Sequence, residues 1–267
     1  MSARSPASSA RFARRVGSVR ERVSSLPGLD GPHALYAALV LLLAYVVRGV
    51  AGFGSGLIAV PSLTMVAPVG TVVPVVVSLD YIGSAGQGVR HLGRVAWVEQ
   101  LALFPFTLVG VATGLLVLRG VSATLLSRTL GVFVIVYAVY QLLPLPPLHG
   151  SRIFAIVCGF MGGLVGTLFG TGGPFYAMYF NLRGLDKSAF RATFAVNFMI
   201  DGGVRLAGYA LAGLLGWAML IWVAAALPLV ALGLYAGGRV HVSLSQRAFV
   251  RLVSVILVAA GAALLIR

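Results

Sequence analysis

Apolar runs of membrane-spanning length follow one another from Leu35 to about residue 266. Hydrophobic residues make up 59% of the 267 residues and charged residues only 10%, whereas about a quarter of the residues in a typical soluble domain are charged. A helix needs about 20 apolar residues to cross the hydrocarbon core of a bilayer. The sequence therefore predicts an all-α polytopic membrane protein, with the lipid bilayer as its surroundings.

The N-terminal arm, residues 1–32, is rich in arginine and serine and poor in acidic residues. This composition overlaps with that of organellar transit peptides, but we favour a cytoplasmic arm that is disordered or lies on the membrane surface. The net charge of +14 does not indicate a nucleic-acid partner, because arginines that flank apolar helices are typical of membrane topology and lipid contact.

Ten apolar segments follow, five on each side of a proline-rich linker at 144–151. The first repeat (33–143) and the second repeat (152–267) contain, in order, the segments at about 34–50, 54–67, 71–90, 96–118, 122–143, 152–168, 172–182, 190–211, 214–238 and 248–266. The second segment of each half is too short to cross a bilayer comfortably. We expect about three full transmembrane helices in each half.

The two halves share residues at nearly constant separations, which predicts an internal duplication. Phe53–Gly56 (FGSG) matches Phe169–Gly172 (FGTG), and Gly88–Arg90 matches Gly203–Arg205. Four further anchors, all at one common separation, are Pro105, Gly110, Gly114 and Arg128, which match Pro228, Gly233, Gly237 and Arg251. Internal repeats in membrane proteins are typical of transporters, whose site lies between the repeats.

The glycine motifs allow two topologies. If each motif is the apex of a re-entrant hairpin, each half makes three full crossings and the repeats are inverted. If each motif interrupts one long crossing segment, each half makes four crossings and the repeats are parallel. The distribution of basic residues does not decide between them, but the combined length of 34–50 and 54–67 favours the hairpin and inverted repeats.

The glycine motifs are also the candidate binding site. Non-helical backbone at membrane depth persists only where protein or a water-filled cavity surrounds it. Ser55 and Thr171 are suited to cap new helices after the breaks, and Pro174 suits a first helical turn. The free N–H groups and partial positive charge of a helix start bind anions. The motif residues predicted to bind substrate are Gly54, Ser55, Gly56, Gly170, Thr171, Gly172 and Gly173.

Other glycines have a simpler explanation. Gly110 and Gly114, like Gly233 and Gly237, are spaced four apart, which is typical of close helix packing in membranes. Glu99 lies beside Trp97 near the start of a segment, and we interpret it as interfacial.

Two polar stripes occupy corresponding helices and should face the interior of the bundle. Asp80, Ser84 and Gln87 share one helical face, as do Asn197, Asp201 and Arg205 on the other. Asp80 and Asp201 are candidates for proton or sodium coupling, and Ser84 and Gln87 complete the polar stripe beside Asp80. Asn197, Arg205 and Arg48 are further candidates for substrate binding.

The acidic residues of the stripes have alternative roles. Asp201 and Arg205 can pair on one helical turn. Asp80 is a candidate proton carrier if it is unpaired, because low dielectric raises the pKa of a carboxylate. If it pairs with Arg48, it is architectural.

The sequence lacks the motifs that are typical of catalysis. It has no Cys/His cluster with metal-ligand spacing, no P-loop and no supported Ser/His/Asp set, and FGSG lacks the strand–helix setting of a dinucleotide site. We therefore expect no metal, no cofactor and no enzymatic activity.

The glycine motifs and the duplicated layout resemble the sulfite exporter TauE/SafE family. The resemblance rests on GVAGFGSGLIAVPSL (49–63) and GFMGGLVGTLFGTGGPFYAMYF (159–180) and covers about residues 34–267. It places the family's signature on two groups: Gly52, Gly54, Gly56 and Pro61, and Gly170, Gly172, Gly173 and Pro174. The first half departs from the family pattern, because Ser55 and Leu57 flank Gly56 where members often have a third adjacent glycine.

The resemblance implies transport of sulfite, sulfoacetate or other organosulfonates. We expect a secondary transporter for a small sulfur-containing anion in the bacterial inner membrane, working by alternating access. An uncoupled anion channel and a non-transporting membrane scaffold are the alternatives, and a homodimer is compatible with the sequence.

Overall fold

The computed structural model describes residues 31–143, 150–239 and 246–266, and the regular elements within these ranges are helices. The α-helices of the described residues are α1 (Gly31–Ala51), α2 (Ser55–Leu63), α3 (Val69–Gly88), α4 (Trp97–Gly120), α5 (Ala123–Leu142), α6 (Phe154–Phe169), α7 (Gly173–Leu182), α8 (Lys187–Leu211), α9 (Trp217–Arg239) and α10 (Gln246–Ile266). A 3₁₀ helix, Val89–Arg94, joins α3 to α4. The all-α class is confirmed, and each predicted segment coincides with one helix. The predicted arm, up to residue 30, and linker residues 144–149 lie outside the described residues.

Four of these helices, α1, α4, α5 and α9, are long and apolar enough to cross a membrane by length and composition. Helices α3 and α8 are of similar length but carry the two polar stripes. They pack against each other, so that Tyr81 lies against Gly202. Asp80, Asn197 and Arg205 are buried there, as expected for polar groups kept away from lipid.

Helices α1 and α2 form a re-entrant hairpin, called here the first hairpin. The hydroxyl of Tyr36, near the start of α1, donates a hydrogen bond to the carbonyl of Ser62, near the end of α2 (3.1 Å). One continuous crossing helix would separate these residues by more than 30 Å, at about 1.5 Å per residue. The turn uses Gly52 and Gly54 at φ of 85° and 99°, a conformation that glycine adopts readily.

Helices α6 and α7 form the second hairpin in the same way. At its open end, the Gly150 N–H donates to the Leu182 carbonyl (2.9 Å). At its apex, Gly170 ends α6 in the left-handed conformation, and its N–H donates to the Gly166 carbonyl (2.9 Å). This is a common glycine ending for a helix.

The two hairpins enter the bundle from opposite ends. Glu99, in the first turn of α4, contacts Arg183 at the open end of the second hairpin. The start of α8 lies at that same end, because Ser188 accepts a hydrogen bond from Arg94. Helix α8 then crosses the bundle, and α9 begins at the other end. There Trp222, near the start of α9, and Ala34, near the start of α1, line one cavity. The open end of the first hairpin therefore lies at this other end of the bundle.

The glycine pairs predicted to pack helices do so. A Cβ atom at Gly114 of α4 would lie 2.8 Å from Cβ of Thr167 on α6. A Cβ at Gly233 of α9 would lie 2.8 Å from Cβ of Tyr45 on α1. Each half therefore supports the other half's hairpin through a glycine face, which confirms the packing interpretation of these pairs.

The hairpin topology can be tested by cysteine accessibility in a Cys158→Ala background. A Cβ atom at Gly31, Gly70, Gly93 or Gly120 would meet nothing within 4 Å, so cysteine is tolerated at each of these positions. We expect an impermeant maleimide to label Gly31→Cys, Gly70→Cys and Gly120→Cys from one side of the membrane and Gly93→Cys from the other. Labelling of Gly31→Cys and Gly70→Cys from opposite sides would show one continuous crossing instead.

Neighbouring glycines of α9 provide a matched test of helix packing. A Cβ at Gly237 would overlap the carbonyl oxygen of Val46, whereas a Cβ at Gly238 meets nothing within 4 Å. We expect Gly237→Ala to destabilise the protein by about 1–3 kcal/mol, the usual range for overpacking. Gly238→Ala should be neutral or slightly stabilising, because alanine favours a helix. Thermal unfolding in detergent measures both, and equal melting temperatures would contradict the packing.

Candidate functional site

The two glycine breaks meet at one small cavity. From the predicted motif residues, Gly54, Gly56, Gly170, Thr171 and Gly173 line it, and the lining is completed by Leu57, Pro174 and Phe198. Its volume of about 10 Å³ has room for roughly one water molecule. The breaks are in direct contact, since a Cβ at Gly56 would overlap the carbonyl oxygen of Gly170.

Two helices begin at this cavity and run away from it towards opposite ends. Helix α2 begins at Ser55, and α7 begins at Gly173 with Pro174 in its first turn, as predicted. The first N–H groups of a helix have no carbonyl partner within that helix. Each helix start also carries roughly half a positive charge. The cavity therefore lies between two partially positive helix ends.

The helix C-termini on the other side of each break are bonded by arginine side chains. The Val50 carbonyl near the end of α1 accepts a hydrogen bond from Arg191 Nη2 (3.0 Å). The Gly166 carbonyl near the end of α6 accepts one from Arg205 Nη1 (2.9 Å). Both arginines belong to α8, and each offsets the partial negative charge of a helix C-terminus. The helix starts at the cavity are left as the uncompensated ends.

The prediction that Ser55 and Thr171 cap the new helices is wrong. The N-cap positions belong to Gly54 and Gly172, and neither helix has a side-chain cap. Ser55 is already helical, and its Oγ donates instead to Oδ1 of Asp80 (2.7 Å). Thr171 precedes the cap, and its Oγ1 is buried without a hydrogen-bond partner among the described residues. Local sequence rules cannot anticipate this, because a distant carboxylate competes for the serine.

Arg48 and Asp80 form a buried ion pair behind the first break. The carboxylate of Asp80 also accepts a hydrogen bond from Tyr45 Oη (2.7 Å). Arg48 donates to Ser84 Oγ and to the Asp80 carbonyl as well. The pairing of Asp80 with Arg48 indicates an architectural role and removes the condition for a free proton carrier. It also ties α1 and α2 to α3.

Asp201 and Arg205 form the predicted ion pair on one turn of α8, and both are buried. Nη1 of Arg205 donates a hydrogen bond to the Gly166 carbonyl. The Tyr209 hydroxyl donates to the Thr167 carbonyl nearby (2.6 Å). This cluster fastens α8 to the last turn of α6. Arg205 thus supports the second break from behind and does not line the cavity.

Asn197, Gly172 and Gln87 are the remaining predicted site residues. Asn197 lies outside the cavity lining; its Oδ1 accepts a hydrogen bond from Gln100 Nε2 (3.0 Å). Gly172 turns its Cα towards α6, since a Cβ there would overlap the Gly162 carbonyl oxygen. Gln87 belongs to α3, but its side chain lies outside the described part of the structure.

Two features of the site and its surroundings were not predicted from the sequence. Phe198 lines the cavity although it follows the polar Asn197. The sequence pattern that could have indicated this is an aromatic face of the helix, because Phe194 and Phe198 are four residues apart. Glu99, which we interpreted as interfacial, lies in the first turn of α4 and is buried by its protein partners. It accepts hydrogen bonds from Tyr179 Oη (2.6 Å) and Arg183 Nε (3.1 Å) and so joins α4 to the second hairpin.

These features define a polytopic helical membrane protein with a cavity between two re-entrant hairpins. Residues 37–264 match the sulfite exporter TauE/SafE family, and the chain belongs to this family as an integral membrane protein. It is 31% identical over 226 residues to a probable sulfite/organosulfonate exporter TauE of Cupriavidus necator, covering 81% of this chain and 88% of that protein. No solved structure matches the chain.

A double-mutant cycle tests the role of Arg48 and Asp80. Arg48→Met or Asp80→Asn alone leaves a buried charge without its partner, which we expect to destabilise the protein by about 3–5 kcal/mol. The double variant should recover most of that loss. Arg152→Met is the control, because this arginine of the Glu99 cluster is 58% exposed and exposed pairs contribute at most about 1 kcal/mol. Additive losses in the double variant would contradict a mutual pairing.

Proposed function

We propose that the protein is a secondary transporter for a small sulfur-containing anion, namely sulfite, sulfoacetate or another organosulfonate. The observation that carries the proposal is the meeting of two helix starts, from hairpins of opposite direction, at one buried cavity. Membership of the TauE/SafE family and the name of the Cupriavidus relative support the substrate class. The proposal assigns transport to the chain rather than catalysis.

The electrostatics of the cavity favour an anion. Both helix starts direct N–H groups and partial positive charge at it. The helix C-termini beside them are offset by Arg191 and Arg205. Thr171 adds a hydroxyl without a partner among the described residues. The carboxylates of Asp80 and Asp201 are each held by an arginine, so they do not cancel the field of the helix starts.

A site made of neutral donors also suits release. Arg48 and Arg205 are engaged in ion pairs and do not line the cavity. An anion held by dipoles and a hydroxyl avoids the strong attraction of a desolvated guanidinium, which would slow its departure. This is the behaviour that a transporter needs from its central site.

The mechanism we propose is alternating access. The cavity has room for roughly one water molecule, and this small size fits a closed intermediate between two open states. The hairpins enter from opposite ends, as inverted repeats would, so rocking one half against the other would open the cavity to each side in turn. In the bacterial inner membrane, the potential would drive an anion outwards. Uptake would need a coupled proton or sodium ion. Asp201 stays a candidate for that role although it pairs with Arg205, because its Oδ1 is buried without a hydrogen-bond partner among the described residues.

Flux in proteoliposomes tests the proposal. The flux of sulfite, sulfoacetate, zwitterionic taurine and acetate is measured side by side, and we expect sulfite or sulfoacetate to move faster than acetate. Movement of a neutral solute alone would refute an anion site. High conductance without saturation in bilayer recordings would show a channel, and no flux of any solute would favour a scaffold.

The hydroxyl of Thr171 provides a specific test within this mechanism. Thr171→Val keeps the shape of the side chain and removes one hydrogen-bond donor, so we expect the affinity for the transported anion to fall about 3- to 10-fold. Thr113→Val is the control, because Thr113 Oγ1 bonds within its own helix, to Val109. Saturation curves of flux give both values, and equal curves for the two variants would exclude a role for Thr171.

A further inference from the structure

Phe198 forms the aromatic wall of the central cavity. This residue of α8 is buried and lines the cavity beside Gly173, the first residue of α7. A Cβ at Gly173 would lie 3.2 Å from Cζ of the ring. The ring therefore closes against the start of α7 at the level where the proposed anion would bind.

A cationic group lies over the Phe198 ring. Cζ of Arg48 is 5.4 Å from the centroid of the Phe198 ring. Arg48 also reaches Ser55 Oγ (3.2 Å), and both neighbours of Ser55, Gly54 and Gly56, line the cavity. Nε of Arg48 is buried and has no hydrogen-bond partner within the described ranges. A spare guanidinium donor is thus close to the cavity without lining it.

The ring is held firmly in this position. Phe194, one turn earlier on α8, stacks on it with centroids 4.9 Å apart and planes 26° apart. Tyr176 of α7 meets it edge-on at 6.5 Å. Both arrangements are favourable for aromatic pairs. Phe198 is therefore an ordered side chain that borders the cavity and has Arg48 over its ring.

We propose that Phe198 determines the selectivity of the central cavity by limiting its size and by screening the bound anion from Arg48. The inference rests on the proposed function and deepens it. With the ring present, a compact anionic head is held by the helix starts and the Thr171 hydroxyl, without Arg48. Without the ring, the cavity would extend to Arg48, admit longer anions, and offer a guanidinium to a second negative group.

Three sulfonates separate the effects of size and charge. Methanesulfonate is a compact monoanion, 1-propanesulfonate is a longer monoanion, and sulfoacetate is a longer dianion at neutral pH. Their binding to purified wild type, Phe198→Ala, Phe198→Leu and Phe194→Leu is measured by competition against one transported anion. Phe194→Leu is the matched control, because Phe194 belongs to the same stack but is not part of the cavity lining.

In Phe198→Ala we expect the affinity for 1-propanesulfonate relative to methanesulfonate to rise at least about tenfold, the scale on which pocket size discriminates between ligands. The relative affinity for sulfoacetate should rise further, because its carboxylate can reach Arg48. Phe198→Leu should shift the first ratio in the same direction by a smaller factor, and it carries the test if Phe198→Ala does not fold. Phe194→Leu should leave both ratios at the wild-type value.

Unchanged ratios in a folded Phe198 variant would overturn the inference, and so would equal shifts in Phe194→Leu, since both results would reduce Phe198 to core packing. These results leave the proposed function intact, because they are obtained on a wild type that binds sulfonates. If the wild type binds no anion at all, the proposed function fails, and this inference fails with it.

Discussion

The structure depends on how the N–H and C=O groups at the helix breaks find hydrogen-bond partners inside a membrane. An unpaired N–H or C=O group in hydrocarbon is penalised by several kcal/mol, and each hairpin apex creates such groups. The carbonyls at the two apices are covered by arginines of α8, which bond Val50 and Gly166. The N–H groups at the helix starts face the cavity instead. One helix thus stabilises both breaks from behind and leaves their donor sides available.

This arrangement explains why the buried charges surround the cavity without lining it. Arg48 and Arg205 are each neutralised by an aspartate and hold neighbouring helices in place. Removing one partner of such a pair is far more damaging than the pair itself is stabilising. The ion pairs therefore fix the positions of the breaks, and the polarity of the site comes from backbone dipoles.

The fold could be predicted from the sequence more completely than the site. Helix positions, the pairing of Asp201 with Arg205 and the packing of Gly114 and Gly233 all follow from composition and spacing, which are local properties. The roles of Ser55 and Phe198 do not, because they depend on contacts across the bundle. Ser55 is engaged by a carboxylate 25 residues away, and Phe198 acquires its place through the approach of α7. The glycines alone marked where these contacts would converge.

The exchange of support between the halves has a consequence for how the chain folds during synthesis. The second hairpin is synthesised after α4, so the glycine face of α4 on which it packs is already in the membrane. The first hairpin is completed only by α9, because Gly49 packs on Gly237, about 190 residues later in the chain. Until then, the tightly packed face of α1 is open to lipid or to other proteins. The packing of the first hairpin against α9 is thus a late step in assembly.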